Sequence, residues 1–193
     1  MDTKQGLPIL AFASQREWEV WLDAQHATSK GLWLKIAKKD SGLDSVTYAE
    51  ALESALCYGW IDGQKGSLDE RAWLQKFTPR GPKSVWSRIN RDKANELQRQ
   101  GRLRPAGLAQ VERAQQDGRW DAAYESQSRA TVPDDLRRAL EDAPVAQAFF
   151  ATLNSVNRYA ILYRIQSARK PDTRARRIEQ FVAMLAEHKT LHP

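Results

Sequence analysis

The sequence predicts an α+β fold: a small antiparallel sheet with packed helices, followed by an all-helical C-terminal module. Three observations lead there. In the first half, segments of helical period alternate with segments of period two, and turn chemistry separates them. In the middle, two strand-like runs flank a polar loop, the pattern of a hairpin. From Val132 onward only helical periodicity remains. The expected organisation is an N-terminal α+β domain over residues 1–124 and a helical module over 132–193.

Each element has a local reason. Residues 1–11 read as a loose lead-in. Ser14-Gln15-Arg16-Glu17 is a capping box, and Trp18, Trp21 and Leu22 follow at helical spacing, so a short helix runs to about Gln25. Residues 31–39 read as a strand, with Leu32, Leu34 and Ile36 alternating against Trp33, Lys35 and Ala37. Asp40-Ser41-Gly42 turns the chain. Thr47-Tyr48-Ala49-Glu50 is a second capping box, and Tyr48, Leu52, Ala55 and Leu56 share a face of the helix it starts. Gly59 ends that helix where a left-handed backbone is needed. Residues 60–64 and 72–77 are the hairpin strands. A helix begins near Ser84 or Ser87 and runs to Gln100; Pro105 opens another that reaches Asp117.

The C-terminal part carries three or four short helices. Pro133 and Pro144 suit first helical positions, and Asn154 suits a cap. Ile178, Phe181, Val182 and Leu185 form an i, i+3, i+4, i+7 stripe in the last helix. Such a set makes a small bundle. No internal repeat and no low-complexity run is present.

Composition narrows the function classes. The chain has 193 residues and 41% hydrophobic content, the range of an ordinary globular protein. Its one cysteine, Cys57, excludes an internal disulfide and lies in an apolar helical run, where an inert buried thiol is expected. No secretory signal and no transmembrane span is read, so the expected location is cytoplasmic. His26 is remote from His188 and His192, which lie four apart at the chain's end, and no Cys-x-x-Cys exists, so no metal is expected. The phosphate-loop and dinucleotide glycine motifs and the Gly-x-Ser-x-Gly elbow are absent, so no cofactor and no nucleophilic triad is expected.

The net charge of +6 is unevenly spread. Residues 63–104 hold eleven Lys and Arg against four Asp and Glu, a surplus of +7, so the rest of the chain sums to −1. The same region alternates rings, amides and cations, from Tyr58 through Asn90. Trp60, Trp73, Phe77 and Trp86 offer flat faces, and Lys65, Arg80, Lys83 and Arg88 supply charge. Gln64, Gln75 and Asn90 can read polar edges. This pattern suits a planar anionic ligand or single-stranded nucleic acid. The plainer alternative is that the tryptophans are core and the cations a solvated face. Trp73, Gln75 and Phe77 share one strand face, whose mixed character favours a partly open pocket. Asp62 shares a face with Trp60 and is the acid to examine as an acid/base group, against the plainer role of closing a turn before Gly63. A second cationic cluster, Arg169, Lys170, Arg174, Arg176 and Arg177, reads as solvated charge.

Several separate motifs resemble one family. Ala27-Thr28-Ser29-Lys30-Gly31-Leu32-Trp33-Leu34, Tyr58-Gly59-Trp60-Ile61-Asp62-Gly63, Phe77-Thr78-Pro79-Arg80 and Trp86-Ser87-Arg88-Ile89-Asn90 look like the YdeI/OmpD-associated (bacteriocin-protection) family. The tail, with Asn157-Arg158-Tyr159, Ala168-Arg169-Lys170-Pro171-Asp172-Thr173-Arg174 and Arg177-Ile178, is similar to its C-terminal helical module. The resemblance implies a link with resistance to cationic antimicrobial peptides and related stress. It brings no reaction and no catalytic residue. The family module is often described as periplasmic, and the missing export signal departs from that.

The expectation is therefore a non-catalytic, cytoplasmic stress-defence or binding protein. Its ligand, anionic or aromatic, is expected against Tyr58, Trp60, Asp62, Lys65, Trp73, Gln75, Arg80, Lys83, Trp86 and Asn90. The rivals are a nucleic-acid binder using residues 63–104 and a small-molecule enzyme with Asp62 as acid/base.

Overall fold

Two capping interactions place the helices that cover the sheet. The computed structural model describes residues 2–125, 130–168 and 170–193. In it Ser14 Oγ accepts from Glu17 N at the start of α1 (Gln15–Gln25), while the Glu17 carboxylate reaches back to Ala13 N. At α2 (Tyr48–Cys57) Thr47 and Glu50 complete a reciprocal box, each side chain taking the other's backbone N–H. Hydrogen bonds from Thr47 hold the Glu50 carboxyl below its ordinary pKa.

Five strands make one sheet: β1 (Thr3–Lys4), β2 (Leu7–Ala11), β3 (Leu32–Ala37), β4 (Trp60–Ser67) and β5 (Ala72–Pro79), in the spatial order β1-β2-β3-β5-β4. The hairpin is antiparallel, as its loop requires. The sheet as a whole is mixed rather than purely antiparallel, because β2 pairs parallel with β3. The expected loose lead-in over residues 1–11 is instead two strands, Thr3–Lys4 and Leu7–Ala11. Their apolar run, Leu7 to Ala11, joins the sheet, and α1 is the crossover that a parallel neighbour needs.

The register sorts the side chains. Leu32 faces Phe77, Leu34 faces Gln75 and Ile36 faces Trp73 across β3 and β5, so these six share one face. Asp62 opposite Phe77 and Ser67 opposite Trp73 extend that face onto β4. The helices lie on it: the Trp18 ring meets Trp60 at 6.3 Å and Phe77 at 5.8 Å, and its Nε1 donates to Ala51 O. Trp18, Leu22, Leu34, Trp60 and Phe77 are buried, each such side chain contributing roughly 1.5–3 kcal/mol. α3 (Arg88–Arg99) and α4 (Pro105–Gln116) follow the sheet. Gly59 has φ +73°, and an added Cβ would lie 2.7 Å from Ala106 O, so the turn out of α2 demands glycine on two counts.

The chain divides into two compact units, residues 1–85 with 90–121, and residues 86–89 with 122–193. The second has its own core. α5 (Asp134–Glu141), α6 (Pro144–Thr152), α7 (Ser155–Gln166) and α8 (Pro171–Ala186) bury Leu136, Leu140, Phe150, Ile161, Leu162, Ile165 and Phe181 together. Buried Asn157 ties the C-terminal tail to α7: its Nδ2 donates to His192 O, and its Oδ1 accepts from Leu191 N and His192 N.

Candidate ligand-binding cleft

The β4–β5 hairpin builds the site, and a bulge aims it. Register slips between Asp62 and Lys65, so one extra residue sits on β4. Gln75, 4% exposed, spans the slip: its Nε2 donates to Gly63 O at 2.9 Å and Gln64 O at 3.3 Å. Its amide therefore serves the strand and not a ligand edge. Beyond the bulge, Lys65 Nζ stands 4.4 Å from the centroid of the Trp73 ring. Trp73 is half-buried, at the end of the face whose other members, Gln75 and Phe77, are covered.

A cleft of about 650 Å³ opens there, lined by Ala37, Lys38, Lys39, Lys65, Gly66, Ser67 and Trp73. Three lysines and one aromatic ring line it, and the Lys65 ammonium lies over the ring. Lys38 Nζ is held by Asp69 O at 2.8 Å. Asp69 itself closes the hairpin loop, accepting from Arg71 N and Ala72 N, and those bonds keep its carboxyl below the ordinary aspartate value. The Tyr48 ring, at the start of α2, tilts against Trp73 at 6.1 Å, and its hydroxyl donates to Asp62 Oδ2 at 2.8 Å. Asp62, Lys65, Trp73 and Tyr48 thus form one continuous cluster. Of the ten residues expected at a ligand, Lys65 and Trp73 line this cleft, and Asp62 is joined to Trp73 through Tyr48.

The others lie elsewhere. Trp60 is 1% exposed, its ring set edge-on to Trp18 and Trp21 and its Nε1 donating to His26 O, so it offers no face to a ligand. Tyr58 caps α2 and lines a separate cleft of about 240 Å³ with Glu19, Cys57, Gly101, Arg102 and Arg104. Its hydroxyl donates to Asp23 Oδ1 at 2.7 Å; burial, then this bond, pushes its pKa up to about 12. Arg80 is buried, with Nη1 donating to Val85 O. Lys83 is exposed on the loop after β5, and Asn90 is buried in α3. Trp86 is buried and falls in the second unit.

Much of the basic surplus is already matched by acids. Lys93 and Arg102 both reach Glu53, Arg102 also approaches Glu19, Arg88 pairs with Glu125, and Arg99 pairs with Glu96. Lys93 and Arg102 together hold the Glu53 carboxyl low. In the tail, Arg174 grips Asp135 with two guanidinium nitrogens and Arg177 donates to Arg164 O, while Arg169 lies outside the described residues. Burial raises the Cys57 thiol to about 11, the setting of an inert thiol. Among the described residues no group of three His, Cys, Asp or Glu could hold a metal ion.

Lys38, Lys39 and Tyr48 were missing from the expected site. The Lys38-Lys39 pair follows the last strand position of β3, which is a legible signal of charge at a sheet end. Tyr48 falls by period on the packing face of α2, but as the first residue of that helix it stays 37% exposed.

Every residue lining this cleft lies within residues 10–110, which match the family model of a domain of unknown function, DUF8412. The chain belongs to the DUF8412 family. Residues 129–188 match a second model, described as bacteriocin-protection, YdeI or OmpD-associated. The YdeI/OmpD-associated domain is thus present at the C-terminal end. The N-terminal motifs from Ala27 to Arg80, and the Trp86–Asn90 motif, fall inside the DUF8412 match instead. No curated protein and no solved structure matches the chain. No described helix of this DUF8412 protein is long and apolar enough to cross a membrane.

Proposed function

We propose that this DUF8412 protein is a binding protein that serves bacteriocin or antimicrobial-peptide protection by holding a small anion in the Lys38–Lys39–Lys65–Trp73 cleft. The observation that carries the reading is the Lys65 ammonium 4.4 Å above the Trp73 ring, in a cleft also lined by Lys38 and Lys39. Three cations at one end of a sheet repel each other and gain when an anion sits among them; a pair of unit charges 4 Å apart near a protein surface is worth about 4 kcal/mol before desolvation. The ring supports an aromatic part in the ligand as well. The link to bacteriocin protection rests on the family description matched by residues 129–188. A cationic peptide is a poor occupant of this cleft for the same electrostatic reason, so the protective role is assigned to capture of an anion and not of the peptide itself.

Nucleic-acid binding through residues 63–104 draws less support, since Arg88, Lys93, Arg99 and Arg102 are engaged by acids of the same chain. Calorimetric titration with pyrophosphate at low and at physiological salt tests the proposal. Binding that weakens at least tenfold in a Lys38→Ala/Lys39→Ala double variant supports it. Equal heats for the wild type and the double variant would refute it.

A further inference from the structure

We propose that the groove between β2 and α1 binds a linear anionic amphiphile, a fatty-acid-like molecule whose chain lies on Phe12 and Trp21 and whose carboxylate meets Arg16. This site shares no lining residue with the lysine cleft and goes beyond the reading above. Trp18 fixes α1 over the hairpin, against Trp60 and Phe77. β2 lies on the other side of β3 from that hairpin, so it runs beside α1 and not beneath it. Leu10 pairs with Leu34 on the helix-covered face, and Pro8 and Phe12 share its side by alternation. All three stay half-buried. Two open clefts of about 720 and 490 Å³ adjoin along this line and share Phe12, Trp21 and Gln25. The facing wall is α1, with Val20 63% exposed and the Trp21 ring stacked on Trp18 at 5.3 Å. Arg16 stands at the Phe12 end and Ser29 at the Pro8 end. From Pro8 to Phe12 the groove runs roughly 13 Å at the rise of a strand.

The chemistry of the lining selects the occupant. The polar rim is spent within the chain: Ser14 Oγ accepts from Glu17 N, Thr28 Oγ1 donates to Gln25 O, and Ser29 Oγ accepts from Gly31 N. Strand addition to β2 is blocked, because β1 already pairs with Leu7 and Pro8, Ile9 N donates to Asp2 O, and Pro8 has no N–H. A peptide would therefore bury backbone amides here without partners. An acyl chain has none to satisfy and gains with every methylene covered. Glu17 is the one acid that lines the groove, and its carboxylate is held by Ala13 N at the helix start. Arg16 has no hydrogen-bond or ion-pair partner among the described residues. It stands in the first turn of α1, where the helix end adds positive potential and a carboxylate gains from both.

The test is calorimetry with tryptophan fluorescence on the full chain, using hexanoate, octanoate, decanoate, decanol and decyltrimethylammonium below their micellar concentrations. The expected result is saturable binding that tightens roughly threefold per methylene from hexanoate to decanoate. Arg16→Ala should weaken decanoate about fivefold and leave decanol unchanged. Val20→Gln, at an exposed position, should weaken decanoate and decanol alike. Equal affinity for the three carboxylates would overturn the acyl-chain assignment. Decyltrimethylammonium as tight as decanoate, or wild-type affinity in Arg16→Ala, would overturn the carboxylate's place at Arg16. Decanoate binding that ignores Val20→Gln would put the ligand outside the groove, and no saturable binding by any of the five would overturn the site altogether.

Discussion

Gly107→Ala is expected to destabilise the first unit, although alanine is the better helix former. Gly107 is the third residue of α4, where alanine would ordinarily gain about 1 kcal/mol over glycine. Here an added Cβ would stand 2.3 Å from Cys57 O, 2.8 Å from Leu56 O and 2.9 Å from Cys57 C. All three are backbone atoms at the end of α2, so no side chain can swing aside. Ordinary contact begins at 3.4 Å, so the two helices must part by about 1 Å. Cys57 O also accepts from Arg104 N at 3.0 Å, and parting the helices stretches that bond. Overpacking of this kind costs about 1–3 kcal/mol, and a lost backbone bond about 1 kcal/mol more. Set against the helix gain, the net loss is about 2 kcal/mol. Six of the seven tryptophans lie in residues 1–85 and 90–121, so intrinsic fluorescence follows the right unit. With a urea slope of about 1–3 kcal/mol per molar, the midpoint should fall by about 1 M. Gly107→Val should fall further. An unchanged or higher midpoint for Gly107→Ala would show that α2 and α4 are not in backbone contact, and the packing account would be wrong.

Three other outcomes are expected. Asn157→Ala removes the three bonds that tie Leu191 and His192 to α7 and should cost the helical unit about 1–3 kcal/mol, read as a lower midpoint by far-UV circular dichroism; a wild-type midpoint would mean the tail contributes nothing. The Cys57 thiol, raised by burial to about 11, should resist a disulfide reagent at pH 8 in the folded protein and react at once in urea; fast labelling of the native chain would contradict its burial. Asp135 is held below its ordinary value of 3.8, first by the Arg174 hydrogen bond, so its pairing stabilises the fold above that value and the benefit is lost as pH falls through the lower folded value. Asp135→Asn should therefore lower the thermal midpoint at neutral pH, with the deficit closing as pH drops from about 4 toward 2; an equal deficit at both ends would assign the loss to something other than ionisation.

What local chemistry could say, the sequence said. A capping box needs only residues i and i+3, and both boxes start helices where Ser14 and Thr47 stand. The hairpin, the helix stop at Gly59 and the four C-terminal helices rest on the same short-range rules of period, turn and cap. The α+β class with an all-helical C-terminal part was legible for a related reason: once the strand period stops at the end of the hairpin, only helix packing remains to bury apolar surface.

Decisions that join distant residues lay beyond it. Residues 7–11 are too short and too weakly alternating to declare a partner; only the packing of α1 across the sheet makes β2 a parallel neighbour of β3. Trp60 and Trp73 read alike in the sequence. One is sealed beneath Trp18 and Trp21, whereas the other is half-buried at the sheet's end, where it meets Tyr48 at the start of α2 and Lys65. The basic run likewise looked uniform, yet Lys93 reaches Glu53 from 40 positions away, while Lys38 and Lys39 arrive at the cleft from another strand. Charge and aromaticity are properties of residues and can be counted along a chain. Which of them a ligand meets depends on burial and on long-range pairing, and those exist only once the sheet has closed under its helices.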